Sequence, residues 1–169
     1  MRVILFRHGP AGERDPLAWP DDRERPLTPK GETRSRRAAR GILWLEGEPT
    51  LVLSSPLARA LRTAELFAEE AGGSVETLDA LAPGKSWRPL LQRLAQAGPK
   101  DTLVLVGHEP DLGKLAGVLL FGAPAALPLR KAGACAFEFE DAPAPGGGQL
   151  RWWLPPRALQ RIAPSRSKV

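Results

Sequence analysis

At 169 residues, with one cysteine (Cys135) and 24 basic against 19 acidic side chains, the chain can bury a sizeable core without disulfides or a structural metal. The N-terminal apolar run, Val3 to Phe6, is far shorter than a signal-peptide core and no stretch approaches a membrane span, so a cytoplasmic, soluble, single domain over residues 1–169 is expected. The net charge of +5 favours anionic partners without choosing among nucleic acid, phosphorylated protein and phosphate metabolites.

The first element, Val3 to Phe6, stops at Arg7-His8-Gly9-Pro10, as a buried strand does when it ends in a polar turn. An imidazole beside a guanidinium at a strand mouth suits attack on phosphorus, because the arginine fork grips phosphate oxygens while a ring nitrogen approaches. Taken alone, the tripeptide reads as a core histidine next to a surface arginine. Residues 10–27 hold four prolines, Asp and Arg residues and one Trp without periodicity, which predicts a long loop that leaves the motif and can cover a substrate.

Thr28-Pro29 predicts a helix start, with threonine as cap and proline at the first helical position, and the helix should run to about Glu46. Ser35, Ala38, Ala39, Ile42 and Leu45 form its inner face; Arg36, Arg37 and Arg40 form a solvated face, with Trp44 on the same side keeping a nucleic-acid or acidic-partner surface open. Leu51-Val52-Leu53 is a second strand, ending at Ser54-Ser55-Pro56. The helix behind it, Leu57 to about Ala71, buries Leu57, Ala60, Leu61, Ala64, Phe67, Ala68 and Ala71. Arg59 lies off that stripe in the first turn, where the helix dipole disfavours a cation, so it makes most sense beside an anion.

A short strand is predicted over 74–78 and a helix over 86–97 with Leu90, Leu91 and Leu94 inside. Thr102 to Val106 is continuously apolar, as expected of a central parallel strand covered on both faces, and ends at Gly107-His108-Glu109-Pro110. A helix over 111–120 follows. Alternation around Cys135-Phe137-Phe139 and Leu150-Trp152-Leu154, across a Pro/Gly loop at 142–148, predicts a flanking hairpin. Residues 155–169 are basic, with a helical turn predicted at 158–162, and no function is assigned to them.

Alternating strands and helices argue for an α/β fold, in which ligands bind outside the carboxyl ends of parallel strands. Arg7-His8, Arg59 and His108 each follow a different apolar strand, and the chain has only these two histidines. Two imidazoles and two guanidiniums in one cleft describe a site for a dianionic phosphoryl group.

Four segments together, Arg7-His8-Gly9, Arg25-Pro26-Leu27-Thr28-Pro29-Lys30-Gly31, Ser55-Pro56-Leu57-Ala58-Arg59-Ala60 with Thr63, and Gly107-His108-Glu109-Pro110, resemble the histidine phosphatase superfamily, branch 1, over residues 1 to about 120. Within it the chain looks most like the short, SixA-like phosphohistidine phosphatases. The resemblance implies a phosphoglycerate mutase-like, three-layer α/β/α sandwich with a mostly parallel sheet and an antiparallel C-terminal hairpin. It implies His8 as nucleophile, with Arg7, Arg59 and His108 around the phosphoryl oxygens, Gly9 and Glu109 also touching substrate, and no cofactor or metal. A phosphohistidine-bearing phosphotransfer protein would be the substrate and inorganic phosphate the product.

The sequence departs from the sugar-phosphate branches. Their glutamate acid after the third strand has no counterpart in Leu78-Asp79-Ala80-Leu81-Ala82-Pro83-Gly84, Pro10-Ala11 follows the motif, and the chain has no asparagine. An alkoxide leaving group needs protonation, whereas imidazole leaves a protonated phosphohistidine neutral, so a site without a strong acid suits P–N cleavage. Asp79, Glu13, Asp15 and Glu109 are the candidate acids. Arg62 replaces the family's glutamine before Thr63. The rival readings are a small-molecule phosphomonoesterase of the same superfamily and a non-catalytic module binding phosphate or nucleic acid.

Overall fold

Alternate side chains along the central strands go to opposite faces of one sheet, and each face is closed by its own helices. A computed structural model describes residues 1–163. Its strands are β1 (Arg2–Arg7), β2 (Leu51–Ser54), β3 (Val75–Thr77), β4 (Thr102–Gly107), β5 (Ala134–Glu138) and β6 (Gln149–Leu154). Its helices are α1 (Pro29–Glu46), α2 (Ala58–Ala71), α3 (Arg88–Leu94), α4 (Asp111–Phe121) and α5 (Pro156–Ile162), with short 3-10 turns at Asp22–Glu24 and Asp79–Leu81. The sheet order is β3-β2-β4-β1-β5-β6; the first four are parallel, and β5 and β6 run antiparallel at the other edge. This is the three-layer, mostly parallel arrangement expected.

On one face Val3, Leu5, Leu53, Leu103, Leu105, Cys135 and Phe137 pack with Leu90 and Leu94 of α3 and Leu112, Leu115 and Leu119 of α4. On the other, Ile4, Phe6, Val52, Val104 and Val106 meet Ala38, Ala39 and Ile42 of α1, Ala60, Ala64 and Phe67 of α2, and Leu159 of α5. The helix after β1 therefore covers one face and the helix after β4 the other. The chain diverges at the carboxyl ends of these adjacent parallel strands, which is where an open α/β sheet forms its binding crevice.

Several expectations need correction. Leu45 is 37 % exposed, and the last inward position of α1 is Glu46, which accepts bonds from Arg2, Arg151 and the Trp152 indole. In α2, Leu66 is fully buried while Leu61 is only partly so. The predicted helix over 86–97 is shorter: Pro89 sits in its first turn, and tight turns from Arg93 and Leu94 to Gln96 and Ala97 end it. The loop after β1 is not featureless, since a bridge between Ala11 and Leu27 pins its base and the 3-10 turn at Asp22–Glu24 its middle. Arg36 and Arg40 do not form a solvated face: they pair with Glu69 and Glu70 of α2 and stitch the two helices together. Among the described residues no helix is long and apolar enough to cross a membrane.

Candidate active site

Strand register brings the site together. Arg7 of β1 lies opposite Gly107 of β4, so His8 and His108 each follow a matched pair at the same level of the sheet. On the other side of β4, Ser54 lies opposite Val106, which puts Ser55 beside the same turn. The His8 N–H donates to Gly107 O at 3.1 Å and the Ser55 N–H to Val106 O at 2.9 Å, extending the ladder one step past the strands. The two imidazoles end up 5.0 Å apart between ring centroids.

The turn after His8 is fixed from below. A side chain at Gly9 would strike Ser35 Oγ and the Gly31 carbonyl, and one at Gly31 would strike the Pro10 carbonyl, so both glycines are needed for the start of α1 to seat against the motif. Thr28 caps that helix as expected, its hydroxyl accepting from the Gly31 N–H at 3.0 Å. Thr63 of α2 completes the seat: Oγ1 donates to Arg59 O at 2.8 Å and accepts from the Gly9 N–H at 3.1 Å.

His8 Nδ1 lies 2.7 Å from its neighbour's carbonyl, Gly9 O. A carbonyl only accepts, so Nδ1 carries the proton and Nε2 presents the lone pair. Burial, reinforced by His108, Arg59 and Arg7 and opposed by the bond to Gly9, pushes the His8 pKa down to about 3. Burial, with Arg59 and Arg7, lowers His108 to about 3 as well. Both rings are neutral at pH 7. His108 Nε2 is 2.9 Å from Ser55 Oγ, and its Nδ1 is buried without a protein partner. If the serine hydroxyl donates to Nε2, the ring proton sits on Nδ1 as a donor for an incoming oxygen.

The guanidiniums are anchored at one end and open at the other. Arg7 Nη1 donates to Leu129 O at 2.7 Å, while its Nε is buried and unpartnered. Arg59, only 5 % exposed, gives Nη1 to Asp22 O at 2.8 Å and holds Nη2 3.2 Å from Asp22 Oδ2; its Nε is likewise buried and free. Burial lowers both arginine pKa values, opposed by Glu109 at Arg7 and by Asp22 at Arg59, and both groups stay charged. Arg7 Nε and Arg59 Nε are buried donors without a protein acceptor, joined by His108 Nδ1 when the Ser55 hydroxyl donates to Nε2; a phosphoryl dianion supplies the acceptor.

The carboxylates tied to this cluster are engaged. Asp22 accepts from Arg25 Nε at 2.8 Å as well as facing Arg59, which, with Arg25's bond leading, holds its pKa below the ordinary range. Glu109 Oε1 accepts from the Leu129 N–H at 3.0 Å, and its other oxygen faces Gly113; burial raises its pKa and these contacts oppose the rise. Of the other candidate acids, Asp79 is exposed at the start of a 3-10 turn whose next two residues are buried, and Glu13 and Asp15 are exposed in the loop. Arg62 points away from the site, to Glu32, Glu65 and Glu69. Among the described residues no group of three or more His, Cys, Asp or Glu could hold a metal ion.

The fold thus gathers Arg7, His8, Gly9, Arg59 and His108 at one crevice, with Glu109 beneath it as a brace for the loop before β5. Asp22 and Ser55 belong to the same cluster, though the sequence pattern assigns neither a role. Ser55 was signalled by a polar pair at a strand end; Asp22 is one carboxylate among several in an aperiodic loop.

The sequence profile of the histidine phosphatase superfamily (branch 1) matches residues 3–83, and the structure of the protein histidine phosphatase SixA complexed with tungstate superposes with a TM-score of 0.80 at 26 % identity, covering 94 % of this chain and 99 % of that one. The chain belongs to the histidine phosphatase superfamily. An uncharacterized protein of Picosynechococcus sp. is 42 % identical over 137 residues, 79 % of this chain and 82 % of the relative. The superfamily fold also extends to the mycobacterial glucosyl-3-phosphoglycerate phosphatase complexed with VO3, with a TM-score of 0.68 at 21 % identity over 91 % of this chain and 99 % of that one. The superfamily match and these neighbours together indicate a phosphatase, with a SixA-like fold.

Proposed function

We propose that this phosphatase removes the phosphoryl group from phosphohistidine on a signalling or phosphotransfer protein. The observation that carries the reading is that both carboxylates reaching the cluster are already engaged, Asp22 by Arg25 and Arg59 and Glu109 by the backbone around α4 and β5. Such a site is poor at protonating an alkoxide but sufficient for a leaving group that departs neutral. The likeness to SixA over nearly the whole chain supports the same substrate.

In the first step His8 Nε2 attacks phosphorus in line while the bond from phosphorus to the substrate imidazole breaks. The substrate ring, protonated at its other nitrogen, takes the bonding pair and leaves neutral. His8 now carries the phosphoryl group on Nε2, with its Nδ1 proton held on Gly9 O. Water then attacks phosphorus, the P–Nε2 bond breaks, and His8 leaves neutral for the same reason; the water's proton goes to the phosphate product. Arg7, Arg59 and His108 stabilise the equatorial oxygens in both steps, and because they are fixed in a buried site they do so without reorganising.

The test is phosphate release, with EDTA present, from a phosphohistidine-bearing phosphotransfer domain, p-nitrophenyl phosphate and a panel of sugar phosphates. The proposal requires preference for phosphohistidine, lost in His8→Ala. Preference for a sugar phosphate would reassign the substrate to a small phosphomonoester.

A further inference from the structure

A groove of about 640 Å3 is lined by Arg34, Arg130, Pro155, Pro156, Arg157 and Gln160. Its three guanidiniums come from α1, the loop before β5, and α5. None has a carboxylate partner among the described residues. This sets them apart from Arg36, Arg40 and Arg62, whose charges are spent on glutamates of α1 and α2. The groove is joined to the catalytic crevice through the backbone. Arg34 precedes Ser35, the residue against Gly9. Arg130 follows Leu129, which receives Arg7 Nη1, and lies two residues before Ala132, whose N–H donates to the Arg7 and His8 carbonyls. The third wall is held by Leu159 of α5, fully buried against α1 where Gly41 leaves room for it.

We infer that this groove docks an acidic segment of the phosphorylated protein, with Arg34, Arg130 and Arg157 gripping carboxylates that flank the phosphohistidine; the inference rests on the protein-substrate reading above. Planar guanidinium forks match carboxylates two bonds at a time, and three unpaired like charges around one groove repel each other until an anionic segment arrives. A nucleic-acid strand is a poorer fit. Among the described residues no aromatic side chain lines the groove to stack a base, and exposed Trp44 lines a different one, where the Arg40 charge is already paired with Glu70.

Two phosphohistidine peptides, identical except for glutamate or glutamine flanks, test this on the wild type and on the triple variant Arg34→Gln, Arg130→Gln, Arg157→Gln. The wild type should favour the glutamate peptide in kcat/KM by about tenfold at low salt, a preference that shrinks as salt rises. The variant should lose the preference and keep wild-type activity on p-nitrophenyl phosphate, which also reports that it folds. Equal turnover of the two peptides by the wild type, or a preference that survives in the variant, would overturn the docking role. If neither phosphohistidine peptide turns over, the substrate reading fails separately. The groove is then judged by the glutamate-to-glutamine binding ratio of the same peptides, measured by fluorescence anisotropy on His8→Ala. An oligonucleotide that binds more tightly than the glutamate peptide and is released by the triple substitution would also overturn it.

Discussion

Arg59 and Arg62 lie one turn apart on α2 and face opposite worlds. Arg62 reaches three glutamates on the outer seam between α1 and α2, and those bonds, led by Glu32, raise its pKa. Arg59 turns inward, is lowered chiefly by burial, and leaves Nε unpartnered. The seam is electrostatically saturated and solvent-screened, so its charges hold helices together; the crevice is buried and unsaturated, so its charges are free to act on a ligand. An arginine's role here is decided by what its remaining donors face.

The sharpest way to break this contrast is to delete each arginine in turn. Arg59→Ala should lower kcat/KM by about 100- to 1000-fold, the usual loss when a preorganised oxyanion donor is removed. Arg62→Ala should leave kcat/KM within about twofold and cost at most about 1 kcal/mol of stability, as exposed pairs do. Comparable losses of activity from both would erase the distinction.

Acid should separate the regions next. His8 and His108 have folded pKa values near 3 against an ordinary 6.5, so below 6.5 the unfolded chain binds protons that the folded one refuses. The stability tied to neutral histidines is fully present above 6.5 and drains as pH falls towards 3. Glu70 in the seam, lowered to about 2 from 4.5 chiefly by its bond to Arg40, releases its contribution only below 4.5. Melting temperature should therefore fall between pH 6.5 and 4.5 through the crevice alone. His108→Gln should make that fall shallower; an unchanged slope would contradict the assignment.

Thr63→Val keeps the shape of a buried side chain and strands the Gly9 N–H, so a loss of about 1–3 kcal/mol in urea unfolding is expected, with a further fall in kcat as the His8 turn loosens. The smallest effect concerns Asp22. Asp22→Asn retains the backbone bond to Arg59 and removes a charge that competes with the phosphoryl group, so inhibition by inorganic phosphate should tighten by about threefold to tenfold. Weaker inhibition would mean instead that the carboxylate serves to aim the guanidinium.

What could be read from the chain follows from how local each signal is. The three central strands and the helices behind them were legible because apolar periodicity is a local property, and His8 and His108 because each follows such a strand. The pairing of Arg7 with Gly107, which sets the two imidazoles at one level, depends on a register between strands a hundred residues apart and no local pattern carries it. Asp22 was invisible for a related reason: its partner Arg59 is brought to it by the fold. The sequence alone makes the arginines of α1 a solvated face because their partners, Glu69 and Glu70 of α2, meet them only once the two helices are side by side. Glu46 carries no inward signal in the sequence, because the partners that bury it, Trp152 and Arg151, come from the far edge of the sheet.

The central claim is that His8 Nε2 carries the phosphoryl group between two half-reactions. Rapid quenching in alkali during turnover, followed by peptide mass analysis, tests it most directly. The account predicts a phosphoryl group, stable in alkali and labile in acid, on the peptide containing His8, absent from His8→Ala. Steady phosphate release with no such adduct at any quench time, or an adduct on another residue, would contradict it.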